Sequence, residues 1–462
     1  MLYACVTYGS ESEGLVARAM ASNPGIQAGR MRVEQAKYKH EEVLEFLDPS
    51  LYMGAGRTER HRNLPLSSSD YAYLDDNAYS IEGGVEVPLE AGAVVNVGGA
   101  LRQTIKGRTY DRSFFRSLAG VQISIPLLKN RGMADFGFRK SIALAEYNQA
   151  GFAFVAQCQE LRHAIELAYI DAREAQINRK IKEIAVQRFA AFQEEAKELA
   201  RLKTVADYEV STTSIELQIG KDDLEIAENL YKLSLETLET LIGDKEPVRM
   251  AEISGKVDEA YRPLAPVAQC EIADAMTARG DAAAVKEGIT LAEIAIQQNE
   301  EASKDDLYLN AGVTFQADGR DYPTQAHRDY DHYVGAEVSV VWRHPLGGRG
   351  PKARIAQARA KALELKATYE QKQREIQSQL TKAKLAIASA ELRVELTRRG
   401  IQAANDTVRA EQERFKIGEG SSKAVLDAQK NLNAILLRLN TAYSALLRAR
   451  ADYAFAAGYD KQ

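Results

Sequence analysis

The chain has 462 residues, a formal net charge of −5, and acidic and basic residues interspersed along its length. It is long enough for several domains, and it lacks the basic stripe that a nucleic-acid partner would require. The three cysteines, Cys5, Cys158 and Cys270, are too few and too far apart for a disulfide framework or a metal-ligand cluster. No run approaches the roughly 18 apolar residues of a transmembrane helix. We also find no nucleophile–base pair and no phosphate-binding loop, so we expect neither catalysis nor a cofactor.

The first residues offer one candidate modification. The segment Leu2–Cys5 looks like the end of a lipoprotein cleavage box, but the apolar run that should precede such a box is missing. Cys5 is therefore a candidate lipid anchor. The alternative is a trimmed or misplaced start.

The chain contains an internal repeat. With a shift of 256 positions, Ala19-Met20 overlays Ala275-Met276. Farther along, the shift falls to 219 and sets Pro126 on Pro345, so the first copy holds 37 extra residues, the difference between 256 and 219. We expect a first repeat over 12–243, a polar linker over 244–270 and a second repeat over 271–458.

Each repeat predicts a helix, strands, a long helix and a final helix. Helix-forming residues with apolar positions three and four apart predict the long helices, about 133–201 in the first repeat and about 354–416 in the second. At 1.5 Å per residue the first of these spans roughly 100 Å. The flanking helices are about half as long, which predicts two half-length helices beside one full-length helix. Their predicted ranges are 12–47 and 207–242, then 272–304 and 421–457.

The strand segments alternate apolar and polar residues. Leu307 to Phe315, Ala336 to Trp342 and Val121 to Ile125 each place apolar side chains on one face. Alternation of this length is typical of outer-membrane β-barrels, although half-buried soluble strands show it too. Four aromatic residues are candidates for interfacial belts, with core packing as the alternative: Tyr79, Tyr308, Tyr333 and Trp342.

The 37 extra residues contain two more alternating segments, 79–89 and 94–106, joined by the short turn Glu90–Gly92. A hairpin added to the barrel wall is the simplest interpretation, and a soluble flap is the alternative. Four to six strands cannot close a barrel, because even a small closed barrel needs about eight. A barrel therefore requires several copies of the chain. Between the strands of the second repeat, a loop carries His327, Asp329, Asp331 and His332, which could bind a metal but more simply form a solvated loop.

The segment "LVARAMASNPGIQAGRMRVEQA" opens the first repeat, and "IPLLKNRG" precedes its long helix. In the second repeat an Arg-Phe-x-x-Gly turn lies at Arg414–Gly418, followed by Val-Leu-Asp-Ala at Val425–Ala428 and a closing glycine, Gly458. Together these stretches resemble the outer membrane efflux protein family, the TolC-like exit ducts. The first repeat departs from the turn motif, since Leu202 and Val205 replace its Phe and Gly.

The resemblance implies a mixed α and β fold: a trimeric outer-membrane β-barrel continued by a long α-helical periplasmic tunnel. It implies a passive, gated exit duct of a tripartite efflux or type I secretion system, with a periplasmic adaptor and an inner-membrane pump as partners. Family members usually supply four strands per chain, twelve in the trimer, whereas six strands here would give eighteen. The alternative function, suggested by helical periodicity alone, is a soluble elongated coiled-coil scaffold or adaptor.

The resemblance also assigns residues. Asp427 and Arg414 are candidates for the periplasmic entrance, where a ring of carboxylates would attract cations, although a solvated helix face is equally compatible. We predict a left-handed cap at Gly418, a helix cap at Ser421 or Ser422, and a capping box from Thr204 to Asp207. The candidate adaptor contacts, or simply turns, are Thr204, Val205, Ala206, Asp207, Ile417, Gly418, Glu419, Gly420 and Ser421. The candidate strand-to-helix transitions are Pro126, Gly132, Pro345 and Gly350.

Overall fold

The computed structural model describes most of the chain. Cys5, Tyr333, Pro345 and the His/Asp loop at 327–332 lie outside the described residues, so the predictions made for them stay predictions. The described ranges are 10–65, 71–105, 114–252, 261, 264, 266–267, 269–319, 334–344 and 346–459.

The elements follow one another in a similar order in the two repeats. The first repeat comprises α1 (Ser10–Ser22), α2 (Pro24–Glu42), a short 3-10 helix (Val43–Leu47), β1 (Ser50–Pro65), β2 (Tyr71–Pro88), β3 (Val94–Thr104), β4 (Phe114–Pro126), α3 (Ala134–Arg201) and α4 (Asp207–Ile242). The second comprises α5 (Ile272–Ala278), α6 (Gly280–Ala302), β5 (Asp306–Gly319), β6 (Val334–Arg343), α7 (Arg349–Lys416) and α8 (Ser422–Ala457).

The helical hairpins of the two repeats have equal lengths. The long helices α3 and α7 each contain 68 residues, and α4 and α8 each contain 36. Each hairpin ends in a left-handed glycine, Gly243 and Gly458. One shift of 215 therefore relates the hairpins from end to end. It replaces both the shift of 219 that the sequence suggested before the long helices and the pairing of Leu202 with the Phe of the turn motif.

The first helix of each repeat is broken, so the prediction of single helices over 12–47 and 272–304 was wrong. Asn23 separates α1 from α2 and Arg279 separates α5 from α6, and these positions are 256 apart. Pro24 lacks the N–H that would continue the helix. The Asn23 carboxamide oxygen accepts a hydrogen bond from the amide of Gly25 at 2.8 Å and so caps α2.

Each break is the place where the last helix of the repeat ends. The Ser22 hydroxyl donates to the carbonyl of Ile242 at 3.0 Å. In the second repeat, the Gln159 side chain donates to the carbonyls of Ala278 and Gly458 at 2.9 and 2.8 Å. α1 and α4 therefore end at the same place, and so do α5 and α8. With 13 and 7 residues, α1 and α5 are too short to be the half-length helices that the sequence predicted.

By its contacts the chain divides into two compact units, and each unit draws on both repeats. The first contains residues up to Val33, Gln149–Lys286 and Ala367–Gln462, and is helical in its described elements. The second contains Glu34–Asn148 and Glu287–Lys366, including all six strands. The repeats therefore do not coincide with the packed units, because each unit is built from segments of both repeats.

The helical unit is held together by apolar residues of facing helices. One cluster packs Ile177 and Ile181 of α3 against Leu432 and Leu439 of α8, with Tyr261 from the linker. The Tyr261 ring lies 5.1 Å from the Tyr443 ring, edge to face. At the other end of the linker, Arg18 forms a bidentate ion pair with Asp244, both distances 2.8 Å.

All six strands form one antiparallel sheet in the order β1-β2-β3-β4-β5-β6. The extra residues of the first repeat thus form β2 and β3, a hairpin paired into the sheet, as predicted. In the described residues β1 pairs only with β2, and β6 only with β5.

The register gives the sheet an apolar and a polar face, because alternate residues point to opposite sides. One apolar row crosses all six strands through successive pairs: Leu51, Val85, Val97, Val121, Val313 and Ala336. The adjacent row on the opposite face is short or polar apart from its first member: Tyr52, Gly84, Gly98, Gly120, Thr314 and Gly335. The alternation predicted from sequence is confirmed, and the apolar face is exposed in the single chain, for example at Leu51 and Val338.

Candidate functional site: the two hairpin tips

The tip of the second hairpin, residues 414–424, is a tight glycine turn. Gly418 has a φ of +81°, as predicted, and its amide donates to the carbonyl of Phe415 at 3.1 Å. The amides of Glu419 and Gly420 both donate to the carbonyl of Arg414 at 3.0 Å. A Cβ on Gly420 would lie 2.9 Å from the backbone nitrogen of Phe415, so no side chain fits there. The turn therefore satisfies carbonyls that the end of α7 would otherwise leave unpaired.

The next helix of this tip begins with a side-chain cap. Ser421 is the N-cap of α8, and its side chain accepts a hydrogen bond from the amide of Ala424 at 3.3 Å. The predicted serine cap is confirmed, and it satisfies one of the free donors at the helix start.

The tip of the first hairpin, residues 199–209, follows the same path without these residues. The amide of Thr204 donates to the carbonyl of Leu199 at 2.9 Å, and Lys203 takes the left-handed conformation with a φ of +51°. The N-cap of α4 is Ala206, which has no side-chain cap. The predicted capping box beginning at Thr204 is therefore wrong, because Thr204 lies two residues before the N-cap.

The shift of 215 also corrects the comparison of the tips. Lys203 is the counterpart of Gly418, and Leu202 that of Ile417, so Leu202 does not replace Phe415. The side chain of Leu202 is 71% exposed, whereas Phe415 is 1% exposed and its ring lies 5.1 Å from that of Phe192. The position equivalent to Phe415 is occupied by Ala200. Leu202, the exposed apolar counterpart of Ile417, was missed as a candidate contact, because the sequence motif had been matched two residues out of register.

One buried carboxylate joins the two tips. Glu209, in the first turn of α4, accepts hydrogen bonds from the amide of Ser422 at 3.0 Å and from the Ser422 hydroxyl. Burial tends to raise the pKa of Glu209, but the bonds from Ser422 and from Tyr208 outweigh it, so the pKa lies below its ordinary value. No sequence signal marked this contact, because the partners are 213 positions apart.

Further contacts make the two tips one packed end of the helical unit. Phe415, Val425 and Leu426 of the second hairpin pack against Phe189, Phe192 and Ala196 of α3. Lys416 pairs with Glu195 at 3.7 Å, and Lys430 pairs with Glu216 at 2.7 Å. The outer surface of this end is formed by exposed residues, among them Leu202, Tyr208 and Ile417.

The two entrance candidates lie at the second tip. Asp427 is exposed in the second turn of α8. Arg414 is also exposed and pairs with Glu411 at 3.4 Å, one turn back on its own helix. No acidic residue precedes Asp427 in α8, so Asp427 is the carboxylate of this helix nearest to the tip.

The strand-to-helix transitions differ between the repeats. Pro126 is buried and ends β4, and the amide of Leu127 continues the ladder with a bond to the carbonyl of Leu307 at 2.7 Å. The chain then turns through left-handed Asn130 and Gly132, with φ of 60° and 64°. The Asn130 side chain accepts from the amide of Asp135 at 2.8 Å and supports the start of α3. Gly350 is instead already in the first turn of α7, so it does not repeat the role of Gly132.

None of the described helices is long and apolar enough to cross a membrane. Among the residues that the structure describes, no three His, Cys, Asp or Glu side chains are grouped so that they could hold a metal ion.

Comparison with known proteins supplies a family and a fold. Residues 292–458 match the sequence model of the outer membrane efflux protein family. No curated protein matches the chain.

Solved structures extend the likeness to nearly the whole chain. The transmembrane channel protein CusC matches with a TM-score of 0.73 at 14% identity, covering 98% of this chain and 93% of CusC. The outer membrane protein VceC of Vibrio cholerae matches with 0.68 at 14% identity, covering 97% and 96%. The open MtrE outer membrane channel of Neisseria gonorrhoeae matches with 0.67 at 15% identity, covering 97% and 89%. The resemblance to the outer membrane efflux protein family is thus confirmed: residues 292–458, most of the second repeat, match its sequence model, and nearly the whole chain has the fold of these outer-membrane channels.

Proposed function

We propose that the protein is an outer-membrane exit duct of an efflux system. Three copies share one β-barrel in the outer membrane, and their helical hairpins form a tunnel across the periplasm. The duct is a passive, gated conduit, with no enzymatic chemistry of its own. The observation that carries the proposal is the two-faced sheet. Its apolar face suits contact with lipid and its polar face suits contact with water, as in the wall of a membrane barrel.

The edges of the sheet support assembly from several copies. In the described residues β1 and β6 each have one unpaired edge, and unpaired backbone groups in lipid each cost several kcal/mol. Joining β6 of one copy to β1 of the next removes every edge once the ring closes. A single chain of six strands is below the roughly eight that a closed barrel needs.

The helices also support packing between copies. Only six of the 36 residues of α4 are buried, against 19 of 36 in α8, so much of α4 has no partner within the chain. The exposed face of α4 carries an apolar stripe with spacings of three, four and seven, as in helix–helix seams. A shorter stripe lies on α7. The members of the two stripes, each at least half exposed, are Ile215, Ile219, Ile226, Leu230 and Leu233 on α4, and Leu385, Leu392 and Leu396 on α7.

The two hairpin tips are proposed to contact the periplasmic adaptor. Leu202 and Ile417 hold equivalent positions beside the left-handed residue and are 71% and 67% exposed. Exposed apolar side chains on a packed end are typical of protein-binding surfaces. Through the adaptor, the duct would meet an inner-membrane pump. Asp427, repeated three times, would line the entrance and favour cations.

The mass of the detergent-extracted protein tests the assembly. We expect a particle of three times the 51.0-kDa chain. The double variant Ile219→Lys/Leu230→Lys places charges in the α4 stripe, and we expect it to yield mainly monomer, because burying unpaired charges between helices is strongly unfavourable.

A matched control uses exposed residues on another face of α4. Ser214→Lys/Gln218→Lys adds the same charge and should remain trimeric. A monomeric wild-type protein, or equal trimer in both double variants, would contradict the proposed assembly.

A further inference from the structure

The hairpin β2–β3 is fully integrated into the sheet. β2 has sixteen paired positions with β1 and eleven with β3, and β3 has eleven with β4. A flap lying over the sheet would instead leave β1 paired with β4. The insertion thus lies within the strand order, and it separates β1 from β4 by two strands.

Both faces of the sheet continue through the hairpin. Val85 and Val97 stand in the apolar row between Leu51 and Val121, and all four side chains are exposed. On the polar face, a row runs from Ser50 through Glu86 and Asn96 to Gln122. The hairpin therefore has the same two environments as the strands on either side of it.

The turn of the hairpin is fixed against the base of the sheet. The amide of Leu89 donates to the carbonyl of Ala93 at 2.8 Å, which closes the turn. Gly92 has a φ of +85°, and a Cβ there would lie 2.7 Å from the backbone nitrogen of Met133. The turn thus packs closely against the strand-to-helix transition of the same repeat, where the chain leaves the sheet.

The inserted strands approach their neighbours closely at glycines. A Cβ on Gly84 would lie 2.7 Å from the carbonyl oxygen of Val97, and one on Gly99 would lie 2.9 Å from that of Leu118. Cβ atoms on Gly84 and Gly98 would each lie 2.7 Å from the Tyr52 hydroxyl, so the aromatic side chain occupies the space that side chains would take. Glycine kinks allow a sheet to curve, and aromatic side chains that cover glycines help to fix the strand register. The inserted strands therefore have the glycines that a curved barrel wall requires.

From these observations we propose that the exit end of the duct is an eighteen-stranded barrel, wide enough for bulkier solutes than a twelve-stranded duct passes. The inference rests on the proposed trimer. With neighbouring strands about 4.8 Å apart and tilted about 40°, eighteen strands form a backbone cylinder about 36 Å across, and twelve form one about 24 Å across. Barrels of 16–18 strands enclose an aqueous channel, and the lumen here would be lined by the polar, glycine-rich face.

Images of the purified trimer along its axis count the strands directly. We expect eighteen strands in the wild type. Deleting residues 71–105 removes β2 and β3 and keeps the parity of the strands, so the deletion variant should form twelve. The deletion leaves 13 residues between β1 and β4, close to the 14 between β5 and β6. A wild-type trimer with twelve strands would overturn the inference and leave the duct intact, whereas the absence of any barrel would overturn the proposed function.

A labelling experiment does not depend on folding of the deletion variant. In a parent with Cys5→Ser, Cys158→Ser and Cys270→Ser, Glu82→Cys places a thiol on the polar face and Val97→Cys places one on the apolar face. With the protein in lipid vesicles, a water-soluble maleimide should label Glu82→Cys at least tenfold faster than Val97→Cys. The parent measures background labelling. Equal rates would show that water reaches both faces of the hairpin, and would overturn its place in the wall.

Discussion

The tips of the two hairpins share one backbone and differ in the side chains that support it. Both follow a 68-residue helix, both place a left-handed residue two positions beyond it, and both lead into a 36-residue helix. The second tip has glycine at the left-handed position, a serine cap and a buried phenylalanine. The first has Lys203, Ala206 and Ala200 at those positions. Helix length and packing thus set the path of the turn, and favourable turn residues stabilise it without being required.

The largest expected effect concerns the apolar anchor of the second tip. Phe415→Ala empties a fully buried site beside Phe192 and should cost about 3–5 kcal/mol in the free energy of unfolding. Leu202→Ala, at an exposed position, should cost less than about 0.5 kcal/mol. Urea unfolding of the detergent-solubilised protein, followed by its helical signal, measures both. Similar losses in the two variants would mean that Leu202 and Phe415 occupy equivalent sites, as the sequence motif had suggested, and would contradict the shift of 215.

The bond between the tips should be next in size. Glu209→Ala leaves the amide and hydroxyl of Ser422 without their acceptor and should cost about 1–3 kcal/mol. The pKa of Glu209 is lowered in the folded chain, so its charged form adds stability above the ordinary value of 4.5. That stability is lost as the pH falls through the lowered pKa.

The pH dependence separates the charge from the shape of the side chain. Glu209→Gln keeps an acceptor oxygen without the charge. The stability difference between wild type and this variant should be constant above pH 4.5 and shrink below it. A difference that grows on acidification would mean that the pKa is raised, and would contradict the account of the bond.

Exchanging residues at the left-handed position should have opposite effects in the two tips. Gly418→Ala forces a Cβ into a positive φ and should destabilise the protein by about 1–2 kcal/mol. Lys203→Gly removes the same strain and should be neutral or stabilising by up to about 1 kcal/mol, since greater freedom of the unfolded chain offsets part of the gain. Melting temperatures compare the two. A clear loss of stability in Lys203→Gly would show that the lysine side chain supports the first tip.

The caps should give the smallest effects. Ser421→Ala removes the side-chain acceptor of α8 and should cost about 1 kcal/mol. Ala206→Ser supplies an equivalent group to α4 and should add about 0.5 kcal/mol. Hydrogen exchange of the amides in the first turn of each helix reports these changes locally. Unchanged exchange in both variants would rule out a role for the caps.

The sequence was sufficient for the repeats, the long helices and the extra hairpin, because each leaves a periodic pattern over many residues. Gly418 and Ser421 were also predictable, since turn chemistry is local. The helix breaks at Asn23 and Arg279 were missed, although Pro24 indicates the first break because proline lacks the N–H that would continue the helix. Leu202 and Glu209 were missed for different reasons. The equivalence of Leu202 with Ile417 depends on a register that only helix lengths reveal, and the bond from Glu209 joins distant segments that only the packed structure brings together.

Membrane fractionation tests the central claim most directly. An outer-membrane duct should sediment with the outer membrane of the producing cell, resist washing with salt or urea, and enter solution only with detergent. A protein that is fully soluble without detergent would contradict the duct and favour a soluble helical scaffold.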